Sequence, residues 1–298
     1  MACFPDFLSR KVGKARICAD VALLASVGSD LLANPDRLFG RADCTVIKDQ
    51  VKIKIGRVVL KIDGIPIGVY VKRYNAFSTR YRMASLIRRS GAVKSLRGAD
   101  ILSRSGVATG KPLAAMESRS WGMLDGSFYL SEEIPQAKTA DAYWREKLKP
   151  ISGVEGLRPR RNFLRALAGL FSRLHRAKIY HSDLKDANII VSAGSIGEER
   201  FFLLDLEGVR RCSFLSRRRR IKNLVQLNRT LGRFLSRSDK LFFLISYLTM
   251  NGTEKRAKRQ WVNEILYATA TRDQNSLRKA SHNQRATSET KDNAKSVH

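Results

Sequence analysis

The most regular stretch of the chain lies over residues 161–177. Phe163, Leu164, Leu167, Leu170, Phe171 and Leu174 recur at the intervals of one helical face, while Arg161, Asn162, Arg165, Ser172 and Arg176 supply the opposite, polar face. Further helices are predicted from Asp141 to Lys149 and from about Ala92 to Ser105. Past residue 220, Leu224, Leu227, Leu231, Phe234 and Leu235 begin another helix. Ser238-Asp239 is expected to cap the next, with Leu241, Leu244, Ile245 and Leu248 on one face, and a last helix is expected from Thr253 to about Ala270.

From Cys44 to Tyr74 the pattern changes to a period of two. Thr45-Val46-Ile47 is one short strand candidate. Val51 to Ile55 alternates aliphatic residues with Lys and runs on to Leu60, and Ile67 to Tyr74 is a second β-branched run. Asp63-Gly64-Ile65-Pro66 between them is a turn signal that joins the two as a hairpin. Gly106 to Pro112 is expected to be a loop leading into a strand over Leu113–Met116, with another strand over Ser127–Leu130. Val21 to Leu32 is a helix candidate ended by Asn34-Pro35. The expectation is an α+β chain. Residues 1–42 form an N-terminal extension packed on a small β-rich lobe of residues 43–134. A larger, mainly helical lobe follows over residues 135–271. Residues 272–298, rich in Ser, Asn, Lys, Thr and Arg, are expected to be a disordered tail.

The chemistry sits just after the long helix. In Tyr180-His181-Ser182-Asp183-Leu184-Lys185-Asp186-Ala187-Asn188, the residues His181, Asp183, Lys185 and Asn188 have the spacing of a kinase catalytic loop. Apolar segments then lead to Asp205-Leu206-Glu207-Gly208, a second acid 22 positions after Asp183 and just past a strand. Phosphoryl transfer needs these groups. One carboxylate, Asp183, accepts the incoming hydroxyl's proton, and Asn188 with Asp205 can hold Mg²⁺ or Mn²⁺ against the phosphates of ATP. Lys185 is expected to face the γ-phosphate, and His181 to support the loop. Single Asp or Asn residues often do no more than shape turns, but the whole octet followed by a second Asp-x-x-Gly points to a two-lobed, protein-kinase-like fold.

Upstream, Val69-Tyr70-Val71-Lys72-Arg73-Tyr74 ends an apolar strand with a lysine where kinases keep the one that pairs with ATP phosphates. Glu132 to Ile134, after the Ser127–Leu130 strand, fall where the adenine rim is expected. Two small-lobe parts are missing. No G-x-G-x-x-G loop is present, only Gly64 and Gly68 flanking the hairpin, whose N–H groups could approach phosphate. The helix from Ala92 offers Asp100 and no Glu as a partner for Lys72, so an acid from elsewhere or the phosphate groups themselves are the alternatives.

Composition alters the picture in one respect. The 298 residues are ordinary in hydrophobic content at 43%, but 56 Lys+Arg against 27 Asp+Glu give a formal charge of +29. Such a charge concerns partners more than fold and suits a polyanionic substrate or an anionic membrane surface. Nucleic acid is disfavoured, because no aromatic stacking platform is interleaved with the Arg217–Lys222 run. Cys3, Cys18, Cys44 and Cys212 form no CxxC pair, so neither a zinc site nor a disulfide framework is expected, and a reduced cytosolic setting is. Asp6, Lys11, Lys14 and Arg16 break any signal-peptide core, and the longest apolar run, Leu241–Met250, is about half a membrane span. Any membrane association is therefore expected to be peripheral.

Together, Val69 to Tyr74, the His181–Asn188 loop, Asp205-Leu206-Glu207-Gly208 and the basic helix start from Arg217 to Leu227 resemble the bacterial lipopolysaccharide kinase family over roughly residues 45–250. These are the Kdo and heptose kinases of the inner core. The resemblance implies that Lys72 binds ATP phosphates, that Asp183 is the base, and that Asn188 and Asp205 hold Mg²⁺. It implies an acceptor that is lipopolysaccharide or another anionic glycolipid, met at the cytoplasmic face of the inner membrane. Relatives carry a Glu in the helix before Gly106, about where Ser95 falls here. Two other readings share these residues: an atypical Ser/Thr protein kinase, disfavoured by the lack of an A-P-E-like segment, and a non-enzymatic pseudokinase or basic binding module, disfavoured by the intact set of Lys72, Asp183, Asn188 and Asp205.

Overall fold

The computed structural model describes residues 4–254 and 257–274. Its strands are β1 (Phe7–Val12), β2 (Ala15–Asp20), β3 (Thr45–Asp49), β4 (Ile53–Ile62), β5 (Ile65–Asn75), β6 (Ala108–Thr109), β7 (Pro112–Ser120), β8 (Met123–Glu132), β9 (Ala137–Thr139), β10 (Ile179–His181), β11 (Ile189–Ser192), β12 (Arg200–Leu203) and β13 (Val209–Arg211). Its helices are α1 (Val21–Ala33), α2 (Thr79–Ala84), α3 (Gly91–Ser103), α4 (Ala140–Tyr143), α5 (Leu157–Arg176), α6 (Arg217–Arg229), α7 (Arg237–Met250) and α8 over residues 257–274. Short 3-10 turns and one π-helical turn, Trp144–Leu148, lie between them.

The small lobe is one antiparallel sheet in the order β1-β2-β7-β8-β5-β4-β3. The β4–β5 hairpin closes through Asp63 and Gly64, both left-handed (φ 50° and 79°), the two-residue turn whose twist matches its strands. Alternation along the strands makes two cores. Val58, Leu60, Val69, Val71, Met116 and Leu130 face α1 and the turn after it, joining Leu23, Leu32 and Leu38. Residues of opposite parity, Cys18, Tyr74, Ala115 and Tyr129, face α3 and belong to a cluster that continues into the large lobe.

In the large lobe the apolar face of α5 is buried from Phe163 to Leu174 and packs against α7. Beside it lie a four-stranded sheet, β6-β12-β11-β9, and the short pair β10-β13. The two-lobed, β-rich then helical α+β layout expected from the sequence is present.

Several local readings are corrected. Residues 7–20 are two strands that extend the small-lobe sheet, beyond the single helix foreseen in the first 42 residues. Their interleaved Arg, Lys and Ser mask the period because most of β1 is solvent-exposed. The strands seen as Leu113–Met116 and Ser127–Leu130 run on to meet in a hairpin at Trp121-Gly122. The cap of α7 is Ser236, whose hydroxyl accepts the Asp239 N–H at 3.1 Å, and not Ser238-Asp239. The last helix continues to residue 274, so residues 272–274 of the expected disordered tail are helical, and the rest of that tail lies outside the described residues.

Candidate active site

The catalytic loop hangs between β10 and β11 and is tied from several sides. The Ser182 N–H donates to the Gly208 carbonyl at 3.0 Å, holding the loop against the Asp205–Gly208 turn. A side chain on Gly208 would meet Ser182 Oγ at 2.3 Å, so the serine hydroxyl occupies the space that the glycine leaves open. His181 is buried, and the Asp183 N–H donates to its Nδ1 at 3.2 Å. Its Nε2 therefore carries the proton and donates to the Leu204 carbonyl at 2.9 Å. Burial holds His181 below its ordinary pKa despite that carbonyl and the nearby Asp205 and Asp183, so the imidazole is a neutral bracket for the loop.

Helix α6 supplies the remaining ties. Asn223 Nδ2 donates to the His181 carbonyl at 2.6 Å and to Gln226 Oε1 at 3.0 Å. Gln226 Nε2 donates to the Ser182 carbonyl at 2.8 Å, and its Oε1 accepts the Leu184 N–H. Behind Asn223 lies buried His175, 3.4 Å from Asn223 Oδ1 and 2.8 Å from the Tyr247 hydroxyl. Burial pushes the His175 pKa down to about 4. None of these supporting residues was foreseen. The available signal was a polar Asn at position 223 inside the otherwise apolar stripe of Ile221, Leu224 and Val225.

At the front of the loop, Asn188 Nδ2 donates to the Asp183 carbonyl (2.8 Å) and carboxylate (3.2 Å), and Lys185 Nζ lies 2.8 Å from Asp183 Oδ2. The β11–β12 hairpin brings the second acid alongside: the Leu204 N–H donates to the Asn188 carbonyl at 3.0 Å, and the next residue, Asp205, is left-handed (φ 55°, ψ 51°).

Across the cleft, Lys72 Nζ meets Asp205 Oδ1 at 2.7 Å. Lys72 points to the α3 side of the sheet because it has the parity opposite to Val69 and Val71. Burial works to raise the Asp205 carboxyl, but the Lys72 ammonium outweighs it and the group ends below the usual range. Glu207, half-buried nearby, is raised by burial, with Lys72 opposing and Asp205 adding to the shift. Of the alternatives for the partner of Lys72, Asp100 is eliminated. It pairs with Arg104 at 2.8 Å. Ser95 is buried and its Oγ lies 2.7 Å from the Tyr74 hydroxyl. Helix α3 approaches the Asp205–Gly208 turn so closely that a side chain at Gly98 would meet the Leu206 carbonyl oxygen at 2.2 Å.

The expected phosphate approach at Gly64 and Gly68 is not supported. Gly64 lies roughly 25 Å along β5 from Lys72. Gly68 is a mid-strand residue whose missing side chain makes room for Glu133, itself in a two-point pair with Arg57 at 2.7 and 2.8 Å. The turn at Lys72's end of the sheet is instead β3–β4, since Ile55 pairs with Lys72 and Ile53 with Tyr74. At the other end of β8, the Glu132 N–H donates to the Lys111 carbonyl and the Glu133 N–H to the Gly68 carbonyl. The Ile134 N–H has no such partner among the described residues.

No group of three or more His, Cys, Asp or Glu suited to a metal occurs among the described residues. A magnesium ion does not need one, because it takes one or two protein oxygens and completes its shell with phosphate and water. The donor set fits that demand: Asn188 spends its Nδ2 on Asp183 and keeps Oδ1, and Asp205 adds a carboxylate.

The model of the lipopolysaccharide kinase (Kdo/WaaP) family matches residues 69–247, a span containing Lys72, Asp183, Asn188 and Asp205. No curated protein sequence matches the chain. Among solved structures, one described as WaaP in complex with acyl carrier protein superposes with a TM-score of 0.56 at 22% identity, covering 76% of this chain and 88% of that one. At that identity the likeness speaks for the fold.

Proposed function

The chain belongs to the lipopolysaccharide kinase (Kdo/WaaP) family, and from that premise we propose that it transfers the γ-phosphate of ATP to a sugar hydroxyl of the lipopolysaccharide inner core, on Kdo or heptose. As a family member it is a phosphotransferase with an alcohol acceptor. The observation that carries the site assignment is the Lys72–Asp205 pair at 2.7 Å, which joins the two lobes beside the Asp183–Lys185–Asn188 cluster.

In this reading Asp183 accepts the sugar proton on its carboxylate, and Asn188 keeps that carboxylate oriented. Lys185 places positive charge beside the base, where charge develops on the moving phosphoryl group. Lys72 binds the ATP phosphates and Asp205 holds Lys72 in place. Mg²⁺ or Mn²⁺ would be held by Asn188 and Asp205 and, when bound, neutralises the phosphates. Glu132 and Ile134 rim the adenine pocket, with the Ile134 N–H as the donor because that of Glu132 is spent on Lys111.

The short path of the chain beyond Gly208 favours a glycolipid acceptor over a peptide. It forms β13 and enters α6 at Arg217, leaving no length for a peptide-docking platform. Among the described residues no helix is long and apolar enough to cross a membrane, and the site of action proposed is peripheral, at the cytoplasmic face of the inner membrane. Purified protein with Mg²⁺-ATP should label core lipopolysaccharide that lacks phosphate. Labelling of casein-like proteins in place of the glycolipid would transfer the chain to the protein-kinase reading.

A further inference from the structure

We propose that the β7–β8 hairpin tip and the turn after α2 form one surface that inserts into an anionic bilayer. The inference rests on the lipopolysaccharide reading for why a membrane is met, and it identifies which face meets it. Trp121 at the tip is 94% exposed, and beside it Ile87 is 90%, Met83 62% and Leu86 58% exposed. Four large apolar side chains standing together in water mark an interaction site.

The surface is built, not frayed. A Cβ on Gly122 would lie 3.1 Å from Leu86 Cδ2, so the two turns touch. The Arg119 guanidinium donates to the Ser85 carbonyl at 2.9 Å and the Gly122 carbonyl at 2.8 Å, and the Leu124 N–H donates to Ser85 Oγ at 2.8 Å. Trp121 is held with φ at 54°, a conformation unfavourable for a bulky residue and one that a turn glycine or asparagine would adopt more easily.

Charge selects the occupant. Arg80, Arg88 and Arg89 are exposed around the apolar cluster. The β1–β2 turn brings exposed Lys11 and Lys14 to the same end, because Ala15 pairs with Ser118. The acids of this face are already neutralised, Asp125 by Arg82 at 2.8 Å and Glu117 by Arg119 at 3.1 Å. An apolar tip rimmed by uncompensated cations fits the interface of an anionic leaflet, where tryptophan resides and each basic residue adds attraction.

The test uses the chain's three tryptophans. Trp144 and Trp261 are buried, so quenching by brominated lipid in phosphatidylglycerol-containing vesicles reports on Trp121. We expect quenching in the wild type, its loss in Trp121→Phe with binding retained, and roughly tenfold or greater weakening of vesicle binding in Trp121→Ser/Ile87→Ser. Arg88→Glu/Arg89→Glu should weaken binding more at low salt than at high salt. Absence of wild-type binding to these vesicles, or unchanged binding in the double serine variant, would overturn the proposal. So would a change of oligomeric state in that variant with vesicle binding intact, which would make the face a protein interface. Binding is read without ATP or acceptor, so failure to phosphorylate lipopolysaccharide bears on the kinase function and not on this surface.

Discussion

The large-lobe half of the site and its small-lobe half are held by different means. The catalytic loop is bracketed by neutral His181, by the Asn223 and Gln226 amides, and by the Gly208 carbonyl. All of these belong to its own lobe. The acids facing Lys72, Asp205 in an ion pair and Glu207 nearby, both come from the other lobe. On its own side of the cleft Lys72 meets the ring of Tyr74, whose hydroxyl is paired with Ser95, and, among the described residues, no carboxylate of that lobe. Asp183 is thus positioned entirely by its own lobe, whereas Lys72 lies over the Tyr74 ring of its own strand and takes its ion pair from the other lobe.

The sharpest division between the halves is chemical. Asp183→Asn should lower phosphate transfer about 10³-fold with unchanged thermal unfolding, as measured by label incorporation and calorimetry. A loss of stability instead would mean that Asp183 supports the loop. Next comes the stability of the large lobe against pH. His175 binds its proton at 6.5 when unfolded and at about 4 when folded, so its contribution is complete above 6.5 and falls away as pH drops toward 4. Unfolding free energy should fall by about 3 kcal/mol through that window from this group. A flat profile between pH 7 and 5 would mean that His175 is not held neutral in the fold.

Smaller effects compare the halves directly. Asn223→Ala leaves the His181 carbonyl and His175 without their amide and should cost about 2 kcal/mol, with a fall in kcat, since the loop loses its anchor. Tyr74→Phe removes one hydroxyl from the pair with Ser95 and should cost about 1 kcal/mol with little change in kcat. Equal costs in urea titrations of these two variants would erase the contrast between the halves.

Legibility from sequence follows the same division. Asp183, Lys185 and Asn188 lie within one loop, and their spacing alone was enough to foresee that their side chains meet. Lys72 was legible from its strand, but its partner, Asp205, lies 133 positions away, and nothing local ties the two. Gly68 was read with Gly64 as flanking the hairpin, where backbone N–H groups could approach phosphate. Here the close neighbour is Glu133. Asn223 and Gln226 were hidden because polar residues on a helix ordinarily face water, and their carbonyl partners sit in a loop some 40 positions earlier.

The close seat of Gly98 on the Leu206 carbonyl has a mechanical consequence. Helix α3 rests on the turn that carries Asp205, and its apolar side, with Leu96, Ala99 and Leu102, shares one cluster with Tyr74 and Tyr129 of the sheet and Leu206 and Phe163 of the large lobe. The helix works as a pin through both lobes. Swinging it outward, the motion by which regulated kinases disengage, would tear a continuous oil-filled joint. The two lobes are thereby coupled, because any outward shift of the helix exposes apolar surface of both at once.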